Sequence, residues 1–251
     1  MTDEDPDDHS FSEGQGFDDP YEGFDIDPPE LEVDPDQVDP VDSRVVTDML
    51  DQHNVGADDV DADSLIDVGL DYMRIKRHEQ ATETFERAAQ YAEDDLIEQE
   101  ARVNKGAAHA ELEEYDAAIG AYKEAINIDD ESEHAATAET NLAYALWEFG
   151  RTEEALEHSE RAVEIDPRFG QAWYNRGFFL NERGLAEDAL NCFDNAVRLG
   201  FKNVELLEEK AVALEALGED ERAEEVANEA EEMRKEQEEK MVDQQSERLS
   251  E

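Results

Sequence analysis

The spacing of apolar residues along this chain changes character three times. Over residues 1–41 they stand singly among acids and prolines; all but one of the seven prolines fall there, and Arg44 is the only Lys or Arg before Arg74. Such a stretch cannot bury enough apolar surface to offset the entropy of ordering, and residues 1–41 are predicted to be a disordered acidic tail. Val33-Asp34-Pro35 echoes Val38-Asp39-Pro40 within it, as a linear motif or as low-complexity sequence. Next, Val45, Val46, Met49 and Leu50 share one helical face, with Asp42 or Ser43 available as N-cap. Residues 42–62 thus read as a short capping helix and linker. The helix serves either as a lid on the helical segment after it or as a peptide that fills the protein's own groove. From residue 63 to 232 the 3.6-residue period dominates. Beyond it, residues 233–251 form a polar helical extension with few apolar positions, Glu231 and Lys235 being paired at i,i+4, as are Glu236 and Lys240.

The long periodic stretch is self-similar. Five alanines, Ala81, Ala118, Ala155, Ala189 and Ala223, are spaced 37, 37, 34 and 34 residues apart. Each is followed at the fourth and seventh positions by Phe85 and Ala88, Tyr122 and Ala125, Ser159 and Ala162, Phe193 and Ala196, or Ala227 and Ala230. Twelve residues before each anchor stands a small residue: Gly69, Gly106, Ala143, Gly177 or Ala211. Around these run Leu65-x2-Val68-Gly69-x2-Tyr72 and Trp173-x2-Arg176-Gly177-x2-Leu180, and Pro167 follows Ala155 by twelve residues. This pattern resembles the tetratricopeptide repeat. The resemblance spans about two-thirds of the chain and implies an all-α fold, a right-handed solenoid of about five helix-turn-helix repeats over residues 63–232.

The spacing has a physical basis. Small residues are needed where two helices cross at ~8–10 Å, and large ones fill the spaces between. Each predicted helix is about 13 residues, too short to be stable alone, so stability comes from stacking of neighbours. The two three-residue excesses fall near residues 93–98 and 129–133, where longer turns or extra helical turns fit. The second repeat departs from the pattern with Arg102, Lys105 and His109 at apolar positions, and the fifth carries Ala227 in place of a ring.

Charge narrows the functional classes. With 72 Asp+Glu against 21 Lys+Arg, the formal net charge is −51. That balance argues against nucleic acid, whose binding depends on basic patches, and against anionic membrane surfaces. Self-repulsion at this density opposes compactness at low salt, whereas at molar salt the screening length falls to about 3 Å. The composition resembles that of salt-in halophilic archaea. A single cysteine, Cys192, precludes an intrachain disulfide; the N-terminus lacks a signal-peptide pattern, and no apolar run approaches ~18 residues. A cytoplasmic location is the resulting expectation.

Candidate chemistry is sparse. No two of the six histidines have i,i+4 spacing for zinc. Asp59-x-Asp61-x-Asp63 begins like a calcium loop, but Ser64 replaces the glycine and Leu70 the bidentate glutamate, so Asp63 reads as a helix cap. Gly14-Gln15-Gly16 has no strand before it. Cys192 lacks a partner base and reads as a packing or surface residue, with a redox role left open. Neither a cofactor nor a metal is expected, and the chain is not expected to be an enzyme.

What the resemblance adds is a binding face. In tetratricopeptide proteins the first helix of each pair lines a concave groove, and an asparagine two residues before the small position holds a peptide backbone. Asn104, Asn141 and Asn175 match that place, and an amide both donates and accepts. Tyr144, Trp147, Tyr174 and Phe178 are expected on the same face, either as anchors for a partner or as packing between repeats, with Trp147 and Tyr174 favoured as anchors. The subfamily that grips a chaperone's C-terminal carboxylate uses basic residues beside the asparagines. Here Val103, Ala107, Thr140, Gln171 and Tyr174 stand there instead. The sequence therefore points to a scaffold or adaptor that binds a protein or peptide, with a self-assembling structural subunit, or an enzyme or small-molecule binder, as rivals. If the acidic composition is a salt adaptation, circular dichroism should show helix loss when multi-molar KCl is dialysed away; full helicity in dilute buffer would refute that adaptation.

Overall fold

The computed structural model describes residues 61–248, with side chains as far as residue 242. The predicted tail and most of the 42–62 segment lie outside the described residues. Those described form ten α-helices and no strand: α1 (Ala62–Arg74), α2 (His78–Tyr91), α3 (Asp95–Glu111), α4 (Tyr115–Ile128), α5 (Glu133–Glu148), α6 (Thr152–Ile165), α7 (Gly170–Glu182), α8 (Ala186–Arg198), α9 (Val204–Ala216) and α10 (Asp220–Arg248). Consecutive helices pair into five helix-turn-helix repeats, and each repeat packs on the next. First helices of adjacent repeats also touch one another, whereas second helices make no comparable contact among the described residues. The first-helix side is therefore the tighter, inner side of the stack.

In repeats 1, 2 and 4 the helices cross at the predicted small residue. The anchors Ala81, Ala118, Ala155 and Ala189 are fully buried, and Ala223 nearly so. A Cβ built on Gly69 would lie 2.4 Å from the Phe85 ring, one on Gly106 2.5 Å from Tyr122, and one on Gly177 2.7 Å from Phe193. These rings are themselves enclosed and cannot yield: Phe85 and Phe193 have no exposed surface, and Tyr122 almost none. Glycine thus faces a ring in repeats 1, 2 and 4. Where the small residue is Ala143 or Ala211, its counterpart is Ser159 or Ala227. Ser159 is buried with its hydroxyl donating to the Leu156 carbonyl at 2.7 Å, while Ala227 is exposed. Repeat 3 carries its ring on the first helix instead, where Trp147 packs on Phe178 and Phe179 at centroid distances of 5.2 and 5.5 Å.

The intra-repeat turns share one geometry. Lys76, Glu113, Gly150, Gly184 and Gly218 all adopt positive φ, between 59° and 85°. The following N–H returns to a carbonyl five residues back, as from Arg77 to Tyr72 at 2.8 Å and from Arg151 to Leu146 at 2.8 Å. This αL ending satisfies the last carbonyls of the first helix and reverses the chain. Three of the five turns use glycine, which adopts that conformation without steric cost.

The three-residue excesses become extra helix. Helices α3 and α5 contain 17 and 16 residues, against 13 for α1, α7 and α9. Gln99, buried just after the added turn of α3, donates to the carbonyls of Ala125 at 3.0 Å and Asp129 at 2.6 Å. It also accepts from Ser132 Oγ at 2.7 Å, and Ser132 in turn caps α5 by accepting from the Ala135 N–H at 2.9 Å. The charged residues of repeat 2 are absorbed by pairing rather than by apolar packing. Arg102 meets Glu98 at 2.7 Å and Glu124 at 2.5 Å, Lys105 meets Glu86 at 2.6 Å, and His109 contacts Glu114 at 2.8 Å. Burial opposes the Arg102 charge, but the surrounding carboxylates outweigh it and hold its pKa above the ordinary value.

At the N-terminal end, α1 starts two residues earlier than predicted, with Asp61 rather than Asp63 as its cap. Asp61 is the N-cap residue and accepts from Ser64 Oγ at 2.5 Å, so Asp63 lies in the first turn, where its charge favours the helix N-terminus. At the other end α10 runs uninterrupted from the fifth repeat into the polar extension as far as Arg248.

The ring–glycine contact has a measurable signature. Gly69→Ala should destabilise the fold by about 1–3 kcal/mol through overpacking. In a Phe85→Ser background, already weakened by its cavity, the same substitution should cost almost nothing. A double-mutant cycle from denaturant unfolding measures this coupling; additive effects would show that the ring does not set the requirement for glycine.

Candidate protein-binding groove

On the inner side a cleft of about 310 Å³ opens across repeats 2 to 4. Helix α3 contributes Ala107, Ala110 and Glu111, helix α4 the edge of Tyr122, helix α5 Asn141 and Tyr144, and helix α7 Gln171, Tyr174 and Asn175. The contributions follow helical geometry. Residues three and four apart share a face, so Ala107 brings Ala110 and Glu111, Asn141 brings Tyr144, and Gln171 brings Tyr174 and Asn175. No single repeat builds the cleft, since its walls come from three successive first helices.

The predicted site residues divide into two groups. Asn141, Tyr144, Tyr174 and Asn175 line the cleft. Tyr144 is 47% exposed, whereas Tyr174 is half-buried and rests on Phe201 and Phe193 at centroid distances of 5.5 and 6.3 Å. Asn175 is buried, and its amide donates to the Thr140 carbonyl at 3.2 Å, tying α7 to α5. Its carbonyl oxygen retains acceptor capacity. The second group does not line the cleft. Asn104 is half-buried on α3. Trp147 and Phe178, also half-buried, pack edge-to-face, with Phe178 and Phe179 a further 5.5 Å apart. This aromatic cluster bridges repeats 3 and 4.

Glu111 and Tyr122 also line the cleft, although neither was expected there from the sequence. Glu111 is legible as the position four after Ala107. The contribution of Tyr122 follows from its place beneath Gly106, where its ring reaches the inner side between α3 and α5.

The electrostatics are one-sided. No Lys, Arg or His lines the cleft. Burial first, then the hydrogen bond and charge of Glu148, pushes the Tyr144 pKa up to about 12. Burial, then Glu209, Glu205 and Glu208, does the same for Tyr174, also to about 12. Tyr122 is raised as well, by burial and Glu111, and Tyr115 beside the cleft is raised by burial, Glu148, Glu113 and Glu111. These phenols are neutral donors and π surfaces at any ordinary pH.

Cys192 is buried, and its thiol is pushed up to about 11, chiefly by burial, which suppresses the thiolate. Among the described residues no group of three or more His, Cys, Asp or Glu is placed to hold a metal ion, and no helix is long and apolar enough to cross a membrane.

Comparison with known proteins agrees with this architecture. Two family models, each described as a tetratricopeptide repeat, match residues 98–168 and 182–237, together about half the chain. The chain belongs to the tetratricopeptide repeat proteins, which are in general scaffolds for protein interaction. Small glutamine-rich tetratricopeptide repeat-containing protein 2 of Mycosarcoma maydis is 28% identical over 126 residues, 50% of this chain and 35% of that protein. DnaJ homolog subfamily C member 7 homolog of Dictyostelium discoideum is 31% identical over 108 residues, 43% of this chain and 20% of that protein. The chain thus matches about a third of the first relative and a fifth of the second. Among solved structures, MamA superposes with a TM-score of 0.55 at 16% identity, covering 71% of this chain and 94% of MamA. BtubC from P. vanneervenii gives 0.60 at 16% identity, covering 69% and 80%. At that identity these likenesses speak to the fold alone.

Raised tyrosine pKa values fix the sign of an alkaline effect. The folded chain holds the proton on Tyr144 and Tyr174 more tightly than an unfolded chain with an ordinary value near 10, so their stabilisation is complete below about pH 10 and is lost as pH rises towards 12. Unfolding midpoints should fall across that interval, and Tyr144→Phe should flatten part of the fall. An unchanged slope in the variant would refute the assignment.

Proposed function

We propose that this chain is an adaptor that presents the inner cleft of repeats 2 to 4 to an extended segment of a partner protein. The observation that carries this reading is the cleft itself, assembled from Asn141, Tyr144, Tyr174 and Asn175 on two successive first helices, with α3 closing its far side. Paired amides suit a backbone that alternates N–H and C=O, and tyrosine supplies large contact area at low cost in side-chain entropy. Trp147 and Phe178 act in this reading by holding repeats 3 and 4 in register, so that the cleft is present before a partner arrives.

The acid excess fits a cytoplasm of high salt, in which the N-terminal residues serve as a solubilising or regulatory arm. Affinity capture from a native lysate at multi-molar KCl, comparing the wild-type chain with Asn141→Ala/Tyr144→Ala, tests the groove. Both side chains are partly exposed, so the variant should remain helical. Partner retention should fall about 30-fold, as for loss of a hot spot of about 2 kcal/mol. Equal capture by both proteins would place binding elsewhere on the chain and overturn the assignment.

A further inference from the structure

The cleft combines one uncompensated carboxylate with three phenol rings and contains no cation. Glu111, exposed at the C-terminal end of α3, makes no ion pair or hydrogen bond among the described residues. The nearest basic side chains on its own helix are committed elsewhere, Arg102 to Glu98 and Glu124, Lys105 to Glu86, and His109 to Glu114. Tyr122, Tyr144 and Tyr174 share the cleft with Glu111, and Glu148, Glu205 and Glu209 lie close enough to act on the phenols, as does Glu208, whose charge is paired with Arg234. Negative potential is therefore concentrated on aromatic faces, which themselves attract cations.

We propose that the partner segment enters this cleft with an arginine side chain, its guanidinium paired with Glu111 and lying over the rings of Tyr144 and Tyr174. This rests on the cleft being the binding surface and adds the chemistry of its occupant. Arginine fits better than lysine because its planar, weakly hydrated guanidinium stacks on rings and donates to a carboxylate at the same time. The Asn141 amide, beside Tyr144 on α5, offers an acceptor to a remaining N–H. An acidic segment would meet Glu111 with like charge and find no cation in the cleft, and a purely apolar one would leave the amides and carboxylate unanswered on burial. The pairing also survives salt: exposed ion pairs are screened out at molar ionic strength, but a charge covered by rings is screened much less.

A displayed random peptide library panned on the full chain in about 1 M KCl, where the screening length is about 3 Å, tests this directly. Peptides retained by the wild type and lost by Tyr144→Ala are the groove ligands, and they should share an arginine. Replacing that arginine by citrulline, its neutral isostere, should weaken binding to the wild type about tenfold, as expected for loss of a charged hydrogen bond. On Glu111→Gln, a surface substitution that should leave the fold intact, citrulline should cost clearly less, because only the attraction of the charge to the rings remains to be lost. Groove ligands that lack arginine, that bind as well with citrulline or lysine, or that respond equally on Glu111→Gln would overturn the arginine assignment while leaving the groove standing. If nothing enriched depends on Tyr144, the groove reading falls, and the arginine proposal falls with it.

Discussion

The structure depends on how closely two short helices approach where they cross. Neither helix of a repeat is long enough to persist alone. In repeats 1, 2 and 4 one backbone passes directly over a ring of the other helix, and only glycine allows that approach. In three of the five repeats this is a size rule across sixteen residues, Gly69 lying against Phe85, Gly106 against Tyr122 and Gly177 against Phe193; at the same offset from Ala143 and Ala211 stand Ser159, which is buried, and Ala227, which is exposed. The ring of Tyr122 then has two roles, since it fills the crossing of repeat 2 and its edge reaches the cleft.

Much of this was legible because the repeat projects a three-dimensional contact onto a fixed sequence offset. Spacings of 37, 37, 34 and 34 residues marked out the five helix pairs, and the buried alanines fall at the predicted anchors. The turns follow the same offsets, five residues before each anchor, even where Lys76 and Glu113 replace glycine. The fate of the three-residue excesses was not legible. Near 3.6 residues per turn, three added residues nearly complete one turn and preserve the helix face, so an added turn and a longer loop leave the same pattern downstream. Gln99 and Ser132, which stabilise the added helix, are polar residues with partners 26 to 33 positions away, a kind of pairing that periodicity does not encode.

The candidate site was legible in part for a related reason. Asn141, Tyr144, Tyr174 and Asn175 are on one face by spacing alone, and the structure brings them to one cleft. Spacing does not say how far along each helix a neighbour leaves that face open. Asn104 occupies the same repeat position as Asn141 yet lies outside the cleft, and Trp147, one turn beyond Tyr144, is partly covered by Phe178 and Phe179. Glu111 was obscured by composition, because one informative carboxylate among 72 acids has no distinguishing mark until its place in the cleft becomes visible.

Charge and architecture constrain each other. A thick globule would have to bury or crowd many carboxylates of a chain at −51, whereas a stack of helix pairs needs only a thin apolar layer and leaves most acids on solvated faces. Buried acids are correspondingly few, and Glu139, the one conspicuous case among the described residues, meets His158 at 2.5 Å. Positive charge is scarce and largely consumed in such internal pairs. On the reading proposed above, a partner that brings its own cation supplies what the chain lacks, and at molar ionic strength that cation is held best where the rings of Tyr144 and Tyr174 cover it.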